Sequence, residues 1–137
     1  MNRVLRRISM NFAAGALGGV ITSVLLWGLG RYGILPIINV RLAPGLSTAL
    51  LYPNIVWGGI WAQLLLLPLI KSRVLARGLV ISIGPTAYHL LYLFPFITGS
   101  GFLGLKLGTL TPLVIAATNA VWGIATVLWL RWSDRGL

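Results

Sequence analysis

Among 137 residues eleven are Lys or Arg, one, Asp134, is acidic, and 58% are hydrophobic. A soluble domain carries about 25% charged residues; this chain carries 9%, too few to build a water-facing surface, so most of its solvent must be lipid. The lone acid leaves no paired carboxylate, metal cluster or Ser-His-acid set, and the lack of cysteine removes thiolate chemistry, so the chain reads as non-enzymatic.

The basic residues stand in short clusters at the ends of apolar segments. That placement serves membrane orientation and contact with anionic lipid, and it lacks the basic stripe with exposed aromatics that nucleic acid requires. Charges cost about 2.5 to 3.5 kcal/mol each at the centre of a spanning helix, which is why a spanning chain moves them into its connections.

About 20 apolar residues carry a helix across about 30 Å of hydrocarbon. Four windows meet that requirement, 12–30, 49–70, 78–96 and 112–130. They predict an all-α, four-helix polytopic membrane protein forming one domain over 1–137. Spanning strands are excluded, because the runs are continuous and do not alternate with a period of two.

The first window follows Arg3, Arg6 and Arg7 and imitates a secretory signal. It is too long, and it ends at Gly28-Leu29-Gly30-Arg31 without a small-residue cleavage site, so an uncleaved spanning helix is expected. Within it Ala14, Gly15, Gly18 and Gly19 form overlapping small-xxx-small pairs, which let helix backbones approach closely. Ala116, Ala120 and Gly123 are placed to do the same on the fourth helix.

The linker at 31–48 is apolar, notably over Ile34-Leu35-Pro36-Ile37-Ile38-Asn39-Val40. Like Phe102-Leu103-Gly104-Leu105 in the linker at 97–111, it must lie in the interface, re-enter the membrane, fold over the bundle or dock on a partner. Glycines at 99, 101, 104 and 108 permit positive φ there. The linker at 71–77 is short and basic.

Arg3, Arg6, Arg7, Lys71, Arg73, Arg77, Arg131 and Arg135 fall on one side, against Arg31, Arg41 and Lys106 on the other. By the positive-inside rule this puts both termini in the cytoplasm. The seven most membrane-proximal of the first group, Arg3 through Arg131, are the candidates for anionic-lipid contact. Tyr32, Tyr52 and Trp132 stand where aromatic belts sit.

Asn54-Ile55-Val56-Trp57-Gly58 recurs as Asn119-Ala120-Val121-Trp122-Gly123, a shift of 65 residues. The recurrence predicts two similar helical hairpins, 12–70 and 78–132, related by an axis along the membrane normal.

His89 is the only histidine. At 1.5 Å per residue it lies about 10 Å inside the outer end of the third helix, with Asn54 about 7 Å and Asn119 about 10 Å inside theirs. Ser82, Pro85, Thr86, His89 and Tyr92 recur at helical spacing, as do Asn54, Trp57, Gly58 and Trp61, and Asn119, Trp122, Gly123 and Thr126. His89, Asn54, Asn119, Thr86 and Tyr92 therefore form a candidate polar or ligand site. The plainer reading makes the asparagines interhelical glue, worth about 0.6 kcal/mol per bond, with His89 bonding a carbonyl freed by Pro85. The sequence requires no cofactor, although one histidine suffices as the axial ligand of a chlorophyll-type pigment.

Arg77-Gly78 before an apolar helix, then Phe94-Pro95, Gly99-Ser100-Gly101-Phe102-Leu103-Gly104, Leu107-Gly108 and Pro112, resembles small bacterial inner-membrane proteins of the YagU-like kind, mainly over 77–128. Those proteins often place a histidine near the position of Asn119, where this chain departs. The resemblance implies a four-helix protein of the bacterial inner membrane and supplies no activity. The expected function is an accessory or structural subunit, packing in a larger membrane complex or with copies of itself. The alternatives are a small oligomeric channel or transporter lined by His89, Asn54 and Asn119, and a pigment- or lipid-binding module using the same layer.

Overall fold

The computed structural model describes residues 2–42, 44–67 and 73–135, the last two without their side chains. Lys71 and the last three residues of the 49–70 window lie outside the described residues. The elements are helices α1 (Arg3–Arg31), α2 (Ile34–Ile37), α3 (Thr48–Trp61), α4 (Val74–Tyr88) and α5 (Thr111–Arg135). α3 tightens into a 3₁₀ turn over Ala62–Leu66, α4 continues as a π-helix over His89–Ile97, and a 3₁₀ segment covers Phe102–Leu107. Among the described residues four helical stretches are long and apolar enough to cross a membrane, Arg3–Arg31, Thr48–Leu66, Val74–Ile97 and Thr111–Ser133. The architecture is all-helical, as expected for a multi-pass membrane protein.

α1 starts well before its apolar window because Asn2 caps it, its side-chain oxygen accepting from the Val4 N–H at 2.9 Å. Arg3, Arg6 and Arg7 therefore ride on the first turns of the helix. The apolar window marks what hydrocarbon must cover, whereas the cap decides where the helix begins.

α1 and α5 pack on each other, α3 packs on α1, and α4 packs on α5. Glycine makes these three seams close. A Cβ on Gly15 or Gly19 would collide with the α3 backbone at Gly58 or Asn54, and one on Gly123 would collide with Gly78 of α4. Gly18 leaves room for Trp122 and Thr126 of α5. Ala116 and Ala120 are only half-buried, flanking the buried α5 stripe of Ile115, Asn119, Trp122 and Thr126.

The two apolar linkers fold over the same end of the bundle and clasp each other. Leu35 and Val40 are buried against Val114, with Leu26 and Leu29 beside them. The Arg41 N–H donates to the Leu107 carbonyl at 2.8 Å, and its guanidinium donates to the Lys106 carbonyl. Gly99, Gly101, Gly104 and Gly108 all take positive φ, as their spacing suggests.

Candidate functional site

Two hydrogen bonds of one design tie the helices together. Asn54 of α3 donates its amide to Ser23 Oγ of α1 at 2.9 Å. Asn119 of α5 donates to Thr86 Oγ1 of α4 at 3.1 Å. In each pair the glycine four residues after the asparagine, Gly58 or Gly123, packs on the glycine eight residues before the hydroxyl, Gly15 or Gly78. The α1–α3 and α4–α5 contacts thus use the same parts at the same spacings.

The remaining two seams differ. Where α5 meets α1, Trp122 is 4% exposed and its indole N–H donates to the Gly15 carbonyl at 3.1 Å. Its counterpart Trp57, on α3 facing α4, is 45% exposed and bonds to no backbone group; its ring stacks on Tyr88 with centroids 5.6 Å apart. A cause lies three residues past each contact glycine on the helix opposite. α1 has Gly18 there, and α4 has the branched Ile81, fully buried against Trp122, Ala62 and Leu65. Without a small residue at that position the backbones of α3 and α4 stay apart, and side chains bridge them: Trp57 on Tyr88, and Trp61 over Gly84.

Behind that aromatic bridge lies a crevice of about 180 Å³, reached by Asn54, Trp57, Trp61, Tyr88, His89, Asn119 and Trp122 among others. The sequence-predicted layer of His89, Asn54 and Asn119 therefore meets at one place. Thr86 stands beside it as the acceptor of the Asn119 bond.

Tyr92 does not join the layer. It is 49% exposed and stacks between Tyr88 and Phe96. The π-helix is the cause, because its wider turn takes more residues than an α-turn and rotates position 92 off the His89 face. Leu93 reaches the crevice in its place. An α geometry would press the Pro95 ring against the Leu91 carbonyl, and the wide turn relieves that clash.

Sequence reasoning missed Ser23, Thr22 and Tyr88. Ser23 carried the signal of a polar side chain in the middle of an apolar run, and Tyr88 that of adjacency to His89.

His89 Nδ1 lies 2.8 Å from the Pro85 carbonyl. A carbonyl only accepts, so Nδ1 carries the proton, and in the neutral ring Nε2 keeps its lone pair. The plainer sequence reading gave His89 a carbonyl freed by Pro85, which would be that of Ile81 four residues earlier; the ring bonds instead to the carbonyl of Pro85 itself, and its second nitrogen stays available. Asn54 and Asn119 each keep a side-chain carbonyl oxygen beyond the amide they donate. Among the described residues, those that reach the crevice include no Lys, Arg, Asp or Glu.

Arg77, a candidate lipid contact, donates to the Leu65 carbonyl at 3.2 Å, which ties α4 to the 3₁₀ turn that follows α3. Arg3, Arg6 and Arg7 are exposed along the first turns of α1, Arg73 is exposed just before α4, and Arg131 is exposed near the end of α5. No protein-family model, curated protein or solved structure matches this chain.

Proposed function

We propose that this chain is a non-catalytic membrane protein that takes an amphiphilic molecule from the bilayer into the crevice between α3 and α4. The observation that carries this reading is the inequality of two seams built from corresponding parts. One is sealed by Trp122 and Gly18; the other leaves a cavity with a polar floor beside the partly exposed Trp57. An aromatic pair such as Trp57 and Tyr88 holds about 0.5 to 1.5 kcal/mol beyond its area burial. A lipid chain can displace such a contact, so the bridge admits a ligand without unfolding the bundle.

The volume bears on the class of ligand. Pockets that enclose drug-sized molecules run to about 300–1,000 Å³, and this crevice offers about 180 Å³. It suits a headgroup and the start of a chain, with the tail left in lipid, better than an enclosed pigment macrocycle. Transport through the layer has less support, because Asn54 and Asn119 already donate to Ser23 and Thr86.

The matching Asn–hydroxyl and Gly–Gly contacts support an internal repeat of two hairpins. The eight-to-three distribution of basic residues supports cytoplasmic termini, and the YagU-like resemblance supports a bacterial inner membrane. An accessory subunit is the second reading. Tyr32, Ile37, Phe96 and Phe102 stand exposed around the outer end, where a partner or a second copy would cover them.

Native mass determination after mild detergent extraction tests both readings. The crevice reading expects a small retained adduct that the crevice-filling Leu93→Trp variant loses. A large hetero-assembly would support the subunit reading, and a protein free of any adduct would sink the crevice.

A further inference from the structure

We infer that the ligand of this crevice carries an uncharged headgroup with a hydroxyl or comparable donor, as a long-chain alcohol or diacylglycerol-type lipid does. The inference rests on the crevice being a ligand site and adds the chemistry of what enters. It has three supports, each a separate property of the lining.

The first is a fixed acceptor at His89. The Pro85 bond fixes the proton on His89 Nδ1, so Nε2 presents a lone pair and no proton. Asn54 and Asn119 each give one amide N–H to Ser23 and Thr86 and keep a second N–H beside their carbonyl oxygen, and the indoles of Trp57 and Trp61 add further N–H groups to the lining. A ligand that only accepts hydrogen bonds would leave His89 Nε2 unmatched; a hydroxyl donates to Nε2 and accepts from a neighbouring N–H.

The second is charge. Among the described residues reaching the crevice there is no cation to hold a phosphate or carboxylate and no anion to hold an ammonium. A charged headgroup taken from the interface into this site would lose its hydration without receiving a partner. The basic residues near the membrane surfaces are available to anionic lipids, so the two lipid classes would be sorted by place. The third is size, since about 180 Å³ admits a hydroxyl-bearing head and the first part of a chain.

The test uses tryptophan quenching by bromine on three probes of one chain length: 9,10-dibromostearyl alcohol, its methyl ether and 9,10-dibromostearic acid at neutral pH. Replacing Trp27, Trp129 and Trp132 by Phe leaves Trp57, Trp61 and Trp122, all of which line the crevice. A buried acceptor left unmatched costs about 1 to 3 kcal/mol, so the alcohol should reach half-quenching at about one tenth of the ether concentration, or less. The acid should be weaker than the alcohol by a similar factor. In the His89→Phe protein the alcohol should fall to the level of the ether.

Equal quenching by alcohol and ether in the His89 protein overturns the hydroxyl assignment while leaving the crevice as a ligand site. An acid as effective as the alcohol overturns the uncharged headgroup. No saturable quenching by any probe overturns the crevice reading itself. The alcohol–ether comparison needs no change at His89, so it stands even where the His89→Phe protein does not fold.

Discussion

Gly15 and Asn54 sit on the same seam and hold it by different means. A side chain on Gly15 has nowhere to go, since its Cβ would strike the Gly58 carbonyl and the Ala62 methyl group. Overpacking at a backbone contact costs about 1 to 3 kcal/mol and occasionally more, so Gly15→Leu should destabilise the bundle by about 3 kcal/mol, read from its denaturation midpoint in detergent. Asn54→Ala removes one interhelical bond to Ser23, worth about 0.6 kcal/mol on average in membrane bundles. It should shift the midpoint only slightly; equal losses from the two variants would contradict glycine packing as the main contact. The positions of both residues were readable in the sequence, as a small-xxx-small pattern and as an asparagine inside an apolar run. Their partners were not, because lipid-facing and core-facing positions are alike apolar and no polar face marks which way a helix turns.

At the scale of elements, the apolar windows located the helices, and a side-chain cap set the start of α1. Asn2 starts α1 close to the chain's first residue, where hydropathy alone would start it at the end of the basic cluster. The π-helix after Tyr88 escaped the sequence for a related reason. Helical spacing assumes one period throughout, and a wider turn changes which residue shares a face with His89 without altering composition. Tyr92 was lost from the site and Leu93 gained by that turn. The two asparagine bonds make a prediction at this scale. Because the natural chain has no cysteine, the pair Ser23→Cys with Asn54→Cys, and separately Thr86→Cys with Asn119→Cys, should each be joined by a short bifunctional thiol reagent and migrate faster on a denaturing gel. Joining in one pair and not the other would break the correspondence between the two seams.

For the whole molecule, orientation and the linker clasp belong together. A single cysteine at Phe102 should react with a membrane-impermeant maleimide added outside intact cells, and one at Asn2 only after permeabilisation; the reverse pattern would invert the topology. Arg41 and Lys106 stand 65 residues apart, the spacing of the two asparagines, and meet where the linkers join. The clasp closes one end of the bundle across the proposed repeat. Four helices and their apolar linkers were legible from composition, whereas the unequal seams depend on one small residue against one branched residue, Gly18 against Ile81, which no pattern of hydropathy distinguishes. That inequality has a consequence for how such a protein can change. Trp122 is committed to the fold by its bond to Gly15, and Trp122→Phe should lower the denaturation midpoint. Trp57 is released from that duty, so Trp57→Phe should leave the midpoint nearly unchanged while altering what the crevice retains. Of two positions placed alike in their helices, one is thereby tied to the architecture, and the other can be replaced without putting the bundle at risk.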